Sequence, residues 1–573
     1  MAHQSDAPDS PPAHRPTPSP FHDSSSSSLP TTDPEKAIVP IEGEHTFAPI
    51  QPSKSNVSRR SRPPLEHTVS YGDGHGFVYH VQSRGGRSNK SGEKAESHAG
   101  NEDEQEEEGD EDPFLVDWDG EDDPEHPRSR PTYRKWLVVL LLCAGSVCVT
   151  CASSIIPSTY QQTEAEFGMS QEVATLGLTL YVFGLGVGPL VLGPMSEFYG
   201  RRIIYVVSFA FFIVFLIPCA LAQNTETLLV ARFLDGIAGS AFLSVAGGSV
   251  GDMFSKMTLQ APMLVYTASP FLGPEFGPLL GGFISEYTTW RWTFYMLLIW
   301  AGTTWALIIL FVPETYQPVL LKRKAERMRK ETGESRYYAP IEKQDQSLLK
   351  AVSYSCLRPF QMLALEPMCL ILCVFTALLL GILYLFFGAF TLVYGEYYGF
   401  SLSQTGLCFL GLMGGILAGI ATDPYWSKNY LRLVAKDGGT SQPEFRLPPA
   451  IAGAILVPIG LFWFAWTAQP GIHYIVSIIG SGVFGMGMLF VFSGVFTFLV
   501  EAYPQYAASA LAANSFARSS FAGAFPLFGL QMYRKLGFEW ASSLLAFLTI
   551  AMMPFPYLFF KYGKRIRGDS KFA

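Results

Sequence analysis

Five polar residues stand in stretches of sequence that are otherwise apolar: Arg232, Asp235, Glu275, Asn514 and Arg518. An Arg or Asp near the centre of a membrane helix costs ~2.5–3.5 kcal/mol, so each is a candidate for function. Arg232 and Asp235 are three residues apart, which puts them on one helical face within pairing distance. A fixed structural ion pair is the plain alternative there. Glu275 is different: Gly, Pro and Phe surround it, and no basic residue lies nearby in its own helix. A carboxylate stripped of water in this way can exchange a proton for a cationic substrate. Glu275 is therefore the preferred proton carrier and Asp235 the alternative. Asn514 and Arg518, four apart, share a face and complete the set of proton-coupling or substrate candidates.

A second chemistry-bearing stretch reads Gly193-Pro194-Met195-Ser196-Glu197-Phe198-Tyr199-Gly200-Arg201-Arg202. Its glycines allow a tight turn, Glu197 offers a carboxylate, and the Arg pair supplies positive charge. A charged clasp between neighbouring helix ends is the functional reading, and an anchor to the membrane surface is the plain one. Gly273, Pro274, Gly277, Pro278, Gly281 and Gly282 form a third stretch around Glu275. Proline removes backbone hydrogen bonds and glycine lets a neighbour approach, so a kinked, closely packed helix is expected. Tyr384, Phe387, Phe390 and Phe484 are candidates to line a cavity for hydrophobic substrates, with ordinary packing the commoner fate of such rings.

Two short patterns carry no chemistry here. Gly247-Gly248-Ser249-Val250-Gly251 matches a hydrolase elbow, but no strand precedes the serine. Gly480-Ser481-Gly482-Val483-Phe484-Gly485 matches a dinucleotide fingerprint without a βαβ unit around it. Both read as small residues that admit close helix packing. No phosphate-binding loop of the Walker type occurs, which argues against an ATP-driven pump. No His cluster, metal-ligand set or nucleophile–base pair occurs in the apolar runs. An enzyme is therefore disfavoured, and neither a cofactor nor a metal is expected.

The elements that position these residues follow from composition. The chain has 573 residues, 48% hydrophobic and 16% charged, against roughly 25% charged for a soluble domain. Charge is unevenly spread. Met1–Lys135 holds 26 acidic and 14 basic residues, and the remaining 438 hold 23 and 27. Soluble enzymes, nucleic-acid binders and secreted disulfide domains all fit poorly. Seven of the eight cysteines fall in apolar runs, where they serve as small packing residues.

Residues 1–135 are expected to be a disordered acidic tail, because they cannot bury enough apolar surface to offset chain entropy. Pro113-Phe114-Leu115-Val116-Asp117-Trp118 breaks that pattern, as a patch for docking on the membrane domain or for sorting. From Trp136 on, apolar runs of about 19–27 residues recur, each long enough to cross a bilayer as a helix. Twelve are placed near 136–157, 172–192, 203–222, 227–251, 261–285, 292–312, 367–393, 404–422, 448–468, 474–500, 507–532 and 540–560. The fold class is an all-α membrane protein with a six-helix half over 136–315, a central loop over 316–366, a second half over 367–560 and a C-terminus over 561–573. Lys and Arg gather in the even-to-odd connections, which puts both termini in the cytosol.

Several strings together resemble the major facilitator superfamily, in its fungal twelve-span drug:proton antiporter branch of multidrug and polyamine exporters. The 193–202 stretch resembles that family's cytoplasmic signature, and Arg232-Phe233-Leu234-Asp235-Gly236 its fourth-span motif. Residues 273–282 resemble the antiporter signature of the fifth span. Pro313-Glu314-Thr315-Tyr316, Pro443-Glu444-Phe445-Arg446-Leu447 and the tail string Asp117–Pro127 agree. The resemblance implies the major facilitator fold, alternating access at the plasma membrane, and proton-coupled export of small hydrophobic or cationic compounds such as drugs, toxins or polyamines. Its alternatives are a dedicated exporter of one endogenous metabolite and a transport-dead receptor or scaffold. The expected partners are a small-molecule substrate, protons and the lipid bilayer, with no nucleic acid, and the chain is expected to act as a monomer.

Overall fold

The computed structural model describes residues 112, 114–118, 123–255, 258–343, 348–568, 570 and 572. Of the expected disordered tail over 1–135, residues 1–111, 113 and 119–122 lie outside the described residues, whereas 112, 114–118 and 123–135 are ordered, with a 3-10 turn at Pro127–Ser129 and the first long helix starting at Thr132. Among the described residues, twelve long helical spans follow one another, and Leu115 and Tyr338 form an isolated β-bridge.

The first half comprises Thr132–Ser154, Gln171–Tyr199, Arg201–Ala220, Thr225–Met253, Gln260–Tyr287 and Arg291–Phe311. The second comprises Pro367–Tyr397, Leu402–Lys436, Pro448–Thr467, Tyr474–Ala502, Ala507–Leu536 and Phe538–Gly568. Ten of these are long and apolar enough to cross a membrane. The fifth, Gln260–Tyr287, and the eleventh, Ala507–Leu536, are not among the ten. They carry three and one internal prolines respectively, and Gly, Ala and Ser replace much of the Leu, Ile and Val found elsewhere.

The even-to-odd connections and the chain's described ends define one side of the array, here called the tail side. The central connection is not a plain loop. It contains the helices Gln317–Thr332 and Leu348–Leu365 with the 3-10 turn Pro340–Lys343 between them. The first of these carries the docking patch. Val116 is buried with Leu321, Ala325 and Ala339, and Trp118 packs against this cluster. The Val116 amide donates to the Tyr338 carbonyl at 3.0 Å, and the Tyr338 amide donates to Phe114 at 3.0 Å. Lys324 reaches the carboxylate of Asp123 at 3.0 Å, and Arg327 pairs with Glu125. A miniature apolar core with a charged rim thus fixes the segment before the first span to the central connection.

On the far side the two halves touch. Gly282 of the fifth span packs on Leu402 of the eighth, and Gly406 packs on Pro278. The Ser403 amide donates to Glu286 at 2.7 Å. The second and eleventh spans meet where Thr179 donates to the Gly523 carbonyl at 2.8 Å and where Gln531 donates to Glu172 at 3.2 Å. Small residues make these approaches possible, since a side chain at Gly282 or Gly406 would overlap the opposing backbone.

Candidate functional site

The fifth span shows why its sequence needs so many glycines. Side chains at Gly273, Gly277 and Gly281 would collide with Thr150, Ser154 and Ile155 of the first span. These glycines recur every four residues and so mark one helical face. Phe271, Glu275 and Gly282 lie on the opposite face, toward the second half: Phe271 packs at a tilt against Phe492 of the tenth span with centroids 4.7 Å apart, and Gly282 meets Leu402. Glu275 stands between these contacts, sixteenth of the 28 residues, at mid-depth. It is 1% exposed, and neither carboxylate oxygen has a hydrogen-bond partner among the described residues.

Arg232 is also fully buried, but it is held. It donates to the carbonyls of Ala152 at 2.8 Å and Gly177 at 3.3 Å, lies 4.0 Å from the Tyr181 ring and approaches Asp235 at 3.7 Å. This arrangement ties the first, second and fourth spans together. Asp235 has no hydrogen-bond partner on either oxygen among the described residues, so Arg232 is its sole close charge there.

Asn514 donates to Thr376 of the seventh span at 2.7 Å and leaves its own carbonyl oxygen unused. Arg518, one turn on, has its guanidinium over Phe492 at 5.4 Å and Phe496 at 4.9 Å. Tyr384 shares a hydrogen bond of 2.7 Å with Ser153, which bridges the halves. Its hydroxyl lies in the fields of Arg518, Glu275 and Arg232. Phe387 lies beside Tyr384 near the junction of Pro157 and Pro278. Phe390 and Phe484 sit elsewhere, packed with Phe386 and Phe464 inside the second half. The central group is therefore Glu275, Tyr384, Asn514 and Arg518, with the Arg232–Asp235 pair behind it.

The tail-side stretch folds as a hub. Gly200 adopts φ +94°, a left-handed turn that favours glycine. The side chain of Glu314, at the end of the sixth span, accepts the amides of Arg201 at 2.9 Å and Arg202 at 3.3 Å, and so caps the third span. The Arg201 guanidinium donates to Ser196 at 2.7 Å and meets Asp252 at 3.5 Å. Glu197 lies in the field of the same guanidinium. Arg202 donates to the Ile309 carbonyl at 2.8 Å. A side chain at Gly193 would meet open space. Asp252, at the tail-side end of the fourth span, is not among the candidates picked from the sequence. Its proximity to Arg201 depends on Gly248, where any side chain would strike the guanidinium.

The second half repeats the hub with one of its two pairs reversed in sign. Glu444, just before the ninth span, takes two hydrogen bonds from Arg567 after the twelfth, at 2.9 and 3.0 Å. Arg446 pairs with Glu501 at 2.7 Å. On the far side, Glu166 of the short helix Tyr160–Phe167 binds both Arg291 amino groups, at 2.6 and 2.8 Å, and the Trp290 ring N–H at 2.7 Å. These bonds hold its carboxyl below the ordinary value of 4.5.

Two six-helix halves with ionisable groups at their shared mid-depth define a secondary transporter. The chain belongs to the Major Facilitator Superfamily, which it matches over residues 142–526. It is 55% identical to the efflux pump atB of Aspergillus terreus, over 80% of this chain and 90% of that protein. It is 44% identical to the probable drug/proton antiporter YHK8 of Saccharomyces cerevisiae, over 79% and 88%. The xylose transporter XylE from E. coli, in a partially occluded inward-open conformation, shares the fold with a TM-score of 0.51 at 16% identity, over 75% and 99%.

Proposed function

We propose that this chain is a proton-coupled exporter that moves small hydrophobic or cationic compounds out of the cytosol by alternating access, and that it is a transporter rather than an enzyme. The observation that carries this reading is Glu275. A buried carboxylate with no hydrogen-bond partner among the described residues must take either a proton or a cationic ligand, since an isolated buried charge is prohibitively costly. Those two occupancies exclude one another, and exclusion is what exchange requires. Glu275 also faces the second half, so rocking of the halves would alternate its access between the two sides of the membrane. The names of the relatives, an efflux pump and a drug/proton antiporter, support the same direction of transport. The basic residues of the even-to-odd connections support a cytosolic tail side, and the plasma membrane is the proposed location, with the chain acting as a monomer.

A second reading, export of one endogenous metabolite, is favoured by the fixed polar groups at the centre. The Ser153–Tyr384 and Asn514–Thr376 bonds hold their members in set positions, as a site selective for one ligand would need. Purified protein in vesicles with an imposed pH gradient, tested against a panel of drugs, polyamines and neutral metabolites, decides. Gradient-driven movement of several unrelated compounds supports broad export. Movement of none of them sinks the export reading.

A further inference from the structure

The four intramembrane charges at the centre are not equally provided for. Arg232 has two carbonyls, a ring and a carboxylate. Arg518 has rings only: Phe492 and Phe496 lie against its guanidinium, no hydrogen bond or ion pair reaches it among the described residues, and its Nε is buried without a partner. A guanidinium has five N–H donors and no way to shed its charge in a protein. Contact with phenyl rings satisfies none of those donors. The fork thus has rings beside it and no acceptor along its N–H edge among the described residues.

Its neighbours place that edge in the substrate region. Phe492, under the guanidinium, is the ring on which Phe271 packs, and Phe271 precedes Glu275 by one turn on the same face. Arg518 and Glu275 therefore flank one aromatic pair from opposite halves of the protein. The Asn514 carbonyl, one turn before Arg518, is likewise unused. Glu275 and Arg518 form no ion pair with each other among the described residues, so each is left for something else.

We propose that Arg518 receives an oxygen acceptor of the substrate, a carboxylate or comparable oxyanion, while Glu275 receives its donor or cationic end. The substrate class is then amphoteric ring compounds, with an anionic oxygen at one pole and a cationic or hydroxyl donor at the other, and the ring against Phe492 and Phe271. The proposal keeps the exchange logic of the previous section, because the donor pole still competes with the proton at Glu275. It rests on that reading only for the direction of movement. Binding at Arg518 is independent of it.

The test uses the purified full chain and equilibrium dialysis with two probes of matched ring and opposite charge, 2-naphthoate and 2-naphthylmethylammonium, with no gradient imposed. Arg518→Gln should weaken naphthoate binding tenfold or more and leave the ammonium probe within twofold. Arg518→Lys, which keeps the charge and loses the planar fork, should fall between. A guanidinium that only packs would weaken both probes alike, and that result overturns the proposal. Should Arg518→Gln not fold, the unmodified chain still decides: naphthoate binding no tighter than that of the neutral isostere 2-naphthamide overturns the proposal, and tighter binding of naphthoate supports it. Gradient-driven transport of the probes in vesicles is read separately. Binding without transport leaves the Arg518 assignment standing, and the export reading is decided by the vesicle panel of the previous section.

Discussion

The guanidinium of Arg201 meets the carboxylate of Asp252 at 3.5 Å, joining the start of the third span to the end of the fourth on the tail side. The pair is largely buried, at 4% and 12% side-chain exposure, so removing Arg201 leaves the Asp252 carboxylate without it, whereas removing Asp252 leaves Arg201 its bond to Ser196. Glu314 fixes the backbone beneath it by capping Arg201 and Arg202.

Asp252→Asn should therefore disturb the hub, though less than Arg201→Ala, which also loses the bond to Ser196. We expect each to shift the balance of inward- and outward-open states, with a stability loss on the order of 1–3 kcal/mol. The double variant should show less than the sum of the two effects, because one interaction is being removed twice. Accessibility of single cysteines placed on either side reads the balance. Additive effects in the double variant would separate the two residues.

The N-terminal clamp makes a sharper prediction about the tail. Val116 is 4% exposed in a small core with Leu321, Ala325 and Ala339. Removing Met1–Gly100 leaves this core intact and should leave transport per molecule unchanged. Val116→Asp, which buries a charge there, should cost on the order of 2–4 kcal/mol locally and expose the Gln317–Thr332 helix to protease. Limited proteolysis of the two proteins side by side checks it. Equal cleavage of both would mean that the clamp contributes nothing to order in the central connection.

Much of the fold was legible because membrane helices announce themselves by length and apolarity. Boundaries slipped where polar residues continue a helix past the apolar run: the second span extends through Glu197 to Tyr199, and the eighth continues to Lys436. The central connection read as a loop because half of its helix Gln317–Thr332 is charged, and only the tail patch packed against it reveals an apolar stripe. At the site, Glu275 and Arg518 could be found from sequence because a charge in an apolar run stands out. The pairing of Arg201 with Asp252 could not, since it rests on the space left by Gly248, 47 residues from Arg201 in the chain. The aromatic candidates divided for a similar reason. Sequence gives a ring's position along a helix, and only packing separates Tyr384 at the interface from Phe484 within one half.

A pH effect is expected at the far-side clasp. The Glu166 carboxyl is held below its ordinary 4.5 by hydrogen bonds from Arg291 and Trp290. A lowered carboxyl value stabilises the folded state above the unfolded value, and the contribution disappears as pH falls through the folded one. Glu166→Gln should thus lower stability by a small amount, about 0.5 kcal/mol for so exposed a pair, at pH 6. The difference should fade below about pH 4. Melting temperatures of both proteins from pH 6 to pH 3 measure it, and a difference that grows on acidification would reverse the assignment.

The proton carrier itself is tested by comparing two neutralisations. Glu275→Gln keeps nearly the same volume and replaces a carboxylate that has no hydrogen-bond partner among the described residues, so folding should survive. The variant can neither bind nor release a proton at this position. Gradient-driven accumulation should fall at least tenfold, and a cationic substrate should bind weakly. Substrate exchange without a gradient should continue for compounds that do not need the carboxylate. Asp235→Asn acts differently. It removes the counter-charge of Arg232, which is buried with only carbonyls and a ring left around it, and stranding a buried charge costs on the order of 3–5 kcal/mol. Its main effect should be on protein yield and melting temperature, and the molecules that do fold should still accumulate substrate in response to the gradient. Full gradient-driven transport by Glu275→Gln would remove Glu275 from the coupling step. Loss of coupling in well-folded Asp235→Asn would move the proton to Asp235.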